Sequence, residues 1–377
     1  MSLTRRALLG TGLAFLLRAQ EEQDDWQGVA KIVAIGDVHG DRDALAAVLR
    51  MAGLIDEQNH WTGGTTHVVQ LGDLPARGGQ TRLAFDLLMQ VEREAAAAGG
   101  KVHALIGNHD AGVMYGDLRS VLPEEYLEFR EPNSEARLKE AYEKELEAKR
   151  KEGTEPKTPA EVEYVHRTWF ERHPPGFVEH QEAFGANGYY GSWIRKHNAI
   201  VKINDTIFMH GGISPKHIRM TRTAINKKIR EELAKPESLP PGLTTDIEGP
   251  LWYRGLIEQP EAKIELHLQA VLRAQGVKRI VVGHTVTRTA ILPRSGGRIV
   301  NVDIGLSRFY GRPPACLVLE GKDAYVLHRG TKVMLPGAKA GEYLAYLKAV
   351  AAADEQPSPV DDLISKLAPP APVPTPK

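Results

Sequence analysis

Residues 32–40 read IVAIGDVHG. The run Ile32–Ile35 is apolar, short and ended by Gly36, the pattern of a buried strand running into a turn. Asp37 and His39 follow, one residue apart. In an extended segment residues i and i+2 project to the same side. A carboxylate and an imidazole therefore leave this strand end aimed at one point. Oxygen and nitrogen donors converging in this way suit a divalent or trivalent metal. Taken alone, Asp-x-His reads equally well as a βα turn whose Asp caps the next helix, so the decision passes downstream.

Asp41 or Asp43 stands where an N-cap belongs, before a helix running to about Met51 with Leu45, Val48 and Leu49 on its apolar face. His67–Leu71 is a second strand, ended by Gly72-Asp73. A helix over about Thr81–Ala98 stops at Gly99-Gly100, a C-cap signal. Val102–Ile106 is a third strand, ended by Gly107-Asn108-His109-Asp110. Strand and helix alternate as in a parallel α/β layout. Each strand delivers polar residues at its C-terminal end, where sites in parallel sheets form.

The stretch from about Ser134 to Arg172 is dominated by Glu, Lys and Ala and reads as one or two exposed helices inserted into that scaffold. Beyond it, Ala199–Ile203 and Thr206–His210 form a hairpin around Asn204-Asp205, ending in His210-Gly211-Gly212. A helix over about Pro215–Leu233 and the segment GPLWYRG (249–255) follow. Next come a helix over Pro260–Gln275 and a strand, Ile280–Val282, that ends in Gly283-His284. Ile299–Val302, Ala315–Leu319 and Ala324–Leu327 read as a closing antiparallel set, with Cys316 in its core. The expected organisation is one domain over 28–335 with its helical insert at about 134–172. A C-terminal helix over 336–355 and a disordered Pro-rich tail over 356–377 complete it.

Lys plus Arg and Asp plus Glu are equal, at 48 each, which removes any electrostatic case for nucleic acid or an anionic membrane as partner. Thr4-Arg5-Arg6 before the apolar run Ala7–Leu17 reads as an export signal over residues 1–20, of the twin-arginine type. It is too short to remain as a membrane span. The expectation is a protein exported to the periplasm or cell envelope of a bacterium.

Strand ends thus present Asp37 and His39, Asp73, Asn108 and His109, His210, and His284. Asp73 follows Asp37 by 36 residues and His109 follows Asp73 by another 36, the length of one strand-helix-strand step. The chain here resembles the calcineurin-like metallophosphoesterases, and within them the phosphoprotein-phosphatase branch. It offers GDVHG (36–40), GDLPARG (72–78), GNHD (107–110), HGG (210–212) and GHT (283–285) in that family's order. The run YGSWIRKHNAIVKINDTIFMHGGISP, with GPLWYRG after it, looks closest to the bacterial-type Shewanella-like phosphatases. The resemblance spans roughly residues 31–320. It implies an α/β fold, a two-sheet α/β/β/α sandwich with the inserted helices.

The resemblance also implies a site of two metal ions, Mn, Fe or Zn. Asp37 and His39 would hold the first, Asp73 would bridge, and Asn108, His210 and His284 would hold the second. His109 would be the general acid, with Arg77 and Arg254 clamping phosphate beside Asn108. The implied activity is a phosphomonoesterase working by in-line attack of a metal-bridging hydroxide on a phosphoprotein or small phosphoester. One position departs from the family pattern GDxxDRG. Its second Asp, the partner of the catalytic His in relatives, is Ala76 here, with Asp110 or Asp303 as substitutes to look for. Leaving-group protonation should suffer, by some part of the roughly 10²–10⁴ that general acids contribute. Aryl phosphates, phosphotyrosine included, should suffer least. A nucleotide or dinucleoside polyphosphate hydrolase and a weakly active phosphate-binding module are the alternatives.

Overall fold

The structure, a computed structural model, describes residues 23–236, 241–287, 289–311, 314–339 and 341–367. The segment read as an export signal lies outside the described residues. So does the end of the tail, from residue 368.

Twelve strands among the described residues form two mixed sheets of six. In chain order they are β1 (Asp25–Trp26), β2 (Lys31–Ile35), β3 (His67–Gln70), β4 (Lys101–Ala104), β5 (Ile200–Ile203) and β6 (Thr206–Met209). Then come β7 (Arg279–Val282), β8 (Leu292–Arg294), β9 (Ile299–Asn301), β10 (Ala315–Glu320), β11 (Asp323–His328) and β12 (Thr331–Met334). The first sheet has the order β12-β11-β10-β2-β3-β4 and the second β1-β5-β6-β7-β9-β8. β2, β3 and β4 are parallel, and so are β6, β7 and β9. The remaining neighbours are antiparallel, apart from β1, which runs parallel to β5.

The two-residue period of β2 divides the core. Ile32 and Ala34 face Val201, Phe208, Val281 and Val300 of the other sheet. Val33 and Ile35 join Leu45, Leu49 and Phe85 of the helices outside. This is an α/β/β/α sandwich, as expected. The helix Arg42–Met51 starts where Asp41 accepts the Ala44 N–H at 2.9 Å. Thr81–Ala97 ends before Gly99, whose φ is +83°.

Several elements differ from the sequence reading. The helix expected from Pro215 begins at Arg222, because Thr221 caps it through the Ala224 N–H and residues 215–220 form turns instead. Ile299–Asn301 belongs to the second sheet, between β7 and β8, so the closing antiparallel set is β10, β11 and β12. Asp361–Leu367 is helical where a disordered tail was expected. Val360 is fully buried before it, and Leu363 and Ile364 pack on the core. The insert is two helices, Ser134–Glu152 and Pro159–Arg172, and the second buries none of its residues.

Candidate metal centre

The C-terminal ends of β2, β3 and β4 meet those of β6 and β7 at one edge of the sandwich. Asp37, His39, Asp73, Asn108, His210 and His284 all lie there, each 4 % exposed or less. Two groups of donors have the spacing to hold a metal ion: His39 with Asp73 and His109, and Asp73 with His210 and His284. Asp73 belongs to both. Asp37 stands between them, 3.9 Å from His39 Nε2 and 3.9 Å from His210 Nδ1. Asn108 Oδ1 and Asp73 Oδ1 lie 3.0 and 3.3 Å from His210 Nε2. All six residues that the sequence nominated as ligands are therefore together, and His109 joins them.

Backbone carbonyls orient two of the imidazoles, because a carbonyl can only accept. His210 Nδ1 donates to Leu71 O at 2.7 Å, which turns Nε2 toward Asn108 Oδ1 and Asp73 Oδ1. His284 Nε2 donates to Trp252 O at 3.0 Å, which leaves Nδ1. His39 Nε2 accepts from the Arg77 guanidinium at 3.0 Å. His210 and His284 thus each hold one nitrogen on a backbone carbonyl and turn the other into the site, the arrangement common to ligand histidines.

The backbone carries strain at the same place. Of nine non-glycine residues with positive φ among the described residues, five are His39, Asp73, Ala76, Arg77 and His284. Two glycines allow the chains to close in. A Cβ on Gly107 would stand 2.3 Å from Asp73 Oδ1, and one on Gly283 would stand 2.5 Å from Asp37 Oδ1.

Four buried carboxylates crowd this edge: Asp37, Asp73, Asp110 and Asp303. Burial opposes the charge on Asp73, but His210, His109 and His39 outweigh it and hold its pKa well below the usual range. Burial and the neighbouring Asp303 and Asp73 push Asp37 well up. Asp110 and Asp303 rise to about 6, chiefly through burial. Burial takes His39 down to about 3, helped by Arg77 and His109. His39 and His284 are held neutral chiefly by burial, while Asp73 and its hydrogen bond raise His210 against burial. Imidazoles beside surplus buried acid are the chemistry of a cation site, so the donor set fits a metal.

Arg77 reaches the site through His39 and also donates to the Tyr310 hydroxyl at 2.5 Å. Arg254 mirrors it from the other side. It donates to His284 O and, at 3.3 Å, to Thr285 Oγ1, with His284 Nδ1 at 3.4 Å. His109 has no ring hydrogen bond; Asp73 Oδ2 is 3.9 Å away. Burial, with Arg77 and His210, lowers its pKa, against opposition from Asp73 and Asp117.

Neither candidate substitute for the missing Asp pairs with His109. Asp110 is spent on backbone: it accepts from Asp73 N at 2.6 Å, Gly107 N at 2.8 Å and Leu74 N at 3.3 Å. Asp303 accepts from Gly305 N and leans on Asp37. Sequence reasoning missed Tyr310, Asp117 and the Trp252 carbonyl. Trp252 lay inside the quoted GPLWYRG, but a lone Tyr in a loop carries no pattern that would single it out.

A two-sheet sandwich whose seam gathers these donors, flanked by two arginines, is a metal-dependent hydrolase of phosphoesters. The chain belongs to the calcineurin-like phosphoesterase family, whose model matches residues 30–288. It is similar to Shewanella-like protein phosphatase 2 of Arabidopsis thaliana, 29% identical over 74% of this chain and 72% of the relative. Shewanella-like protein phosphatase 1 of Plasmodium berghei is 26% identical over 76% and 70%. Among solved structures, a cold-active protein-tyrosine phosphatase of a psychrophilic Shewanella superposes with a TM-score of 0.63. It is 28% identical, with 84% of each chain covered. The protein is a metal-dependent phosphatase.

The expected location is corrected by these comparisons. Curated relatives come from Arabidopsis thaliana, Schizosaccharomyces pombe and Plasmodium berghei. These eukaryotic sources point against a bacterial periplasmic or cell-envelope protein. A basic residue pair before a short apolar run is a pattern of composition, and it carries little weight beside relatedness over most of the chain. Among the described residues no helix is long and apolar enough to cross a membrane.

Proposed function

We propose that this chain is a dinuclear-metal phosphomonoesterase that prefers aryl phosphates, phosphotyrosine in proteins above all. The observation that carries the reading is Asp73, one carboxylate shared by two adjoining donor groups. Asp37 and His39 are the ligands on one side; Asn108, His210 and His284 are those on the other. Two Mn, Fe or Zn ions held there would supply Lewis acidity and activate water for attack at phosphorus.

The chain's own residues do the rest. Arg77 and Arg254 bind non-bridging phosphate oxygens from opposite sides, a task suited to planar guanidinium forks. Asn108, at the first position of the helix Asn108–Tyr115, lends the phosphate an amide donor. His109 delivers a proton to the leaving oxygen. It does so without a hydrogen-bonded carboxylate behind it, because position 76 is alanine and Asp110 is engaged elsewhere. Phenolate leaves with little protonation and alkoxide does not, so an acid that is seldom protonated selects aryl esters. The likeness to a Shewanella protein-tyrosine phosphatase supports the same reading.

The test is release of phosphate from tyrosine- and serine-phosphorylated peptides of one sequence with Mn²⁺ added. The tyrosine peptide should be cleaved faster by on the order of 10²-fold, within the span that general acid catalysis contributes. Asp73→Asn should abolish both activities and reduce bound metal. Equal rates on the two peptides would remove the aryl preference, and full activity in Asp73→Asn would remove the metal assignment.

A further inference from the structure

Arg77 stands beside the metal centre without an acid to balance it. Its side chain is partly buried, and among the described residues no carboxylate pairs with it. One nitrogen, Nη1, makes both of its side-chain hydrogen bonds, to His39 Nε2 at 3.0 Å and to the Tyr310 hydroxyl at 2.5 Å. Both hydrogens of Nη1 are thereby engaged, and those of Nη2 and Nε remain for an anion. The Arg77 backbone lies in the left-handed region at φ 63° and is tied through its N–H to Ser120 O at 2.9 Å.

A bound ion would treat the two partners of Nη1 differently. His39 Nε2 lies 3.9 Å from Asp37 Oδ2 and 4.0 Å from Asp73 Oδ2, whereas its Nδ1 is 3.4 Å from Pro75 O. Nε2 is therefore the nitrogen placed among the donors. It has one lone pair, which can serve an ion or the Arg77 N–H but not both. An ion there takes His39 from Arg77 and also repels the guanidinium. The Tyr310 hydroxyl faces no such competition, because a neutral phenol accepts from Arg77 whether or not His39 is a ligand.

The loop that carries Tyr310 holds the phenol in place. Gly305 has φ 73°, and a Cβ on it would stand 2.7 Å from Tyr310 Cβ, so glycine is what lets the loop fold back on itself. Tyr310 N donates to Ser307 O at 2.9 Å. Arg308 N donates to Asp41 Oδ2 at 2.7 Å, and the Arg308 guanidinium pairs with Asp43. The loop is thus fastened to the start of the helix Arg42–Met51, next to the turn that carries Asp37 and His39. The phenol ring lies 5.8 Å from the His39 ring and 6.0 Å from the guanidinium carbon of Arg77.

We propose that Tyr310 is a positioning residue that holds the Arg77 guanidinium at the phosphate site once metal has taken His39. This rests on the reading of Arg77 as a phosphate clamp. Metal loading then also prepares the clamp, because the N–H released from His39 becomes available to a phosphate oxygen.

The experiment uses the full chain loaded with Mn²⁺. It measures binding of inorganic phosphate by titration calorimetry, kcat and KM for p-nitrophenyl phosphate, and metal content per chain. Wild type is compared with Tyr310→Phe, Arg77→Ala and the double variant Tyr310→Phe/Arg77→Ala. Tyr310→Phe keeps the ring and removes only the hydroxyl. It should weaken phosphate binding and raise KM on the order of tenfold, the worth of one hydrogen bond to a charged group, with kcat and metal content close to those of wild type. In the Arg77→Ala background Tyr310→Phe should add nothing, because its target is gone.

Equal losses in both backgrounds would overturn the proposal, as would phosphate binding that Tyr310→Phe leaves untouched while Arg77→Ala weakens it. Metal lost from Tyr310→Phe would overturn it too, since the hydroxyl would then serve the ions and not the arginine. An Arg77→Ala variant that binds phosphate as wild type does would overturn the clamp reading itself, and this proposal with it. Should Tyr310→Phe be insoluble, Tyr310→Leu takes its place under the same expectations.

Discussion

At the scale of single residues, position decides what each side chain can do. Ala76 is 1 % exposed at the strained turn, and its methyl group leaves His109 without the carboxylate that the family motif would supply. The same scale explains why Asp110 is no replacement. It follows His109 directly in sequence, yet at the third position of its helix its carboxylate turns back to the backbone of Gly107, Asp73 and Leu74. Cys316 shows burial acting alone. It is fully buried in β10 and its thiol is pushed up to about 12, so almost no thiolate forms at ordinary pH. The native protein should leave Cys316 unmodified by a thiol reagent such as dithionitrobenzoate at pH 8, with one thiol per chain appearing in denaturant. Rapid native labelling would mean that β10 opens far more often than its burial allows.

At the scale of elements, one carboxylate ties the C-terminal helices to the sheet. Asp354, just past the helix Glu342–Ala353, accepts from His328 Nε2 at 2.7 Å, Ser358 Oγ at 2.7 Å and Arg329 Nε at 3.0 Å. Burial raises its pKa, but these partners prevail and hold it below the usual range. A depressed carboxyl contributes stability that is fully present above its unfolded pKa and lost as pH falls through the folded one. Hydrogen exchange over 342–353 and 361–367 should therefore be slow at pH 6 and accelerate under strong acid before the central strands do. Asp354→Asn should show fast exchange in these helices already at pH 6; unaltered protection would refute the anchor.

These helices also mark what could be read in advance. The apolar runs of β2, β3, β4, β6 and β7 are legible because buried parallel strands need continuous apolar residues. The metal donors are legible because they stand directly after those runs. β1, with two residues, and β8, which contains Pro293, have no such signature. Asp361–Leu367 lies in a proline-rich region and is ordered by tertiary contacts of Val360, Leu363 and Ile364 that composition does not reveal. Tyr310 reaches Arg77 across 233 residues of sequence, and the buried His180 reaches Glu125 across 55, distances over which no local pattern exists.

At the scale of the whole molecule, the site is a seam. Asp37, His39, Asp73 and Asn108 follow strands of one sheet; His210 and His284 follow strands of the other. Ions that bind only the folded chain stabilise it, by about 4 kcal/mol at a thousandfold excess over Kd. Mn²⁺ added to metal-stripped protein should raise the melting temperature by several degrees, and the rise should vanish in Asp73→Asn; a metal-independent melting temperature would argue against ions at the seam. Because Asp73 is shared by both donor groups, the sandwich resembles a book closed by a clasp at one edge while its apolar pages touch elsewhere. Pulled apart across its faces, such a body should yield last at the clasp, and the force needed to open it should report how many ions it holds.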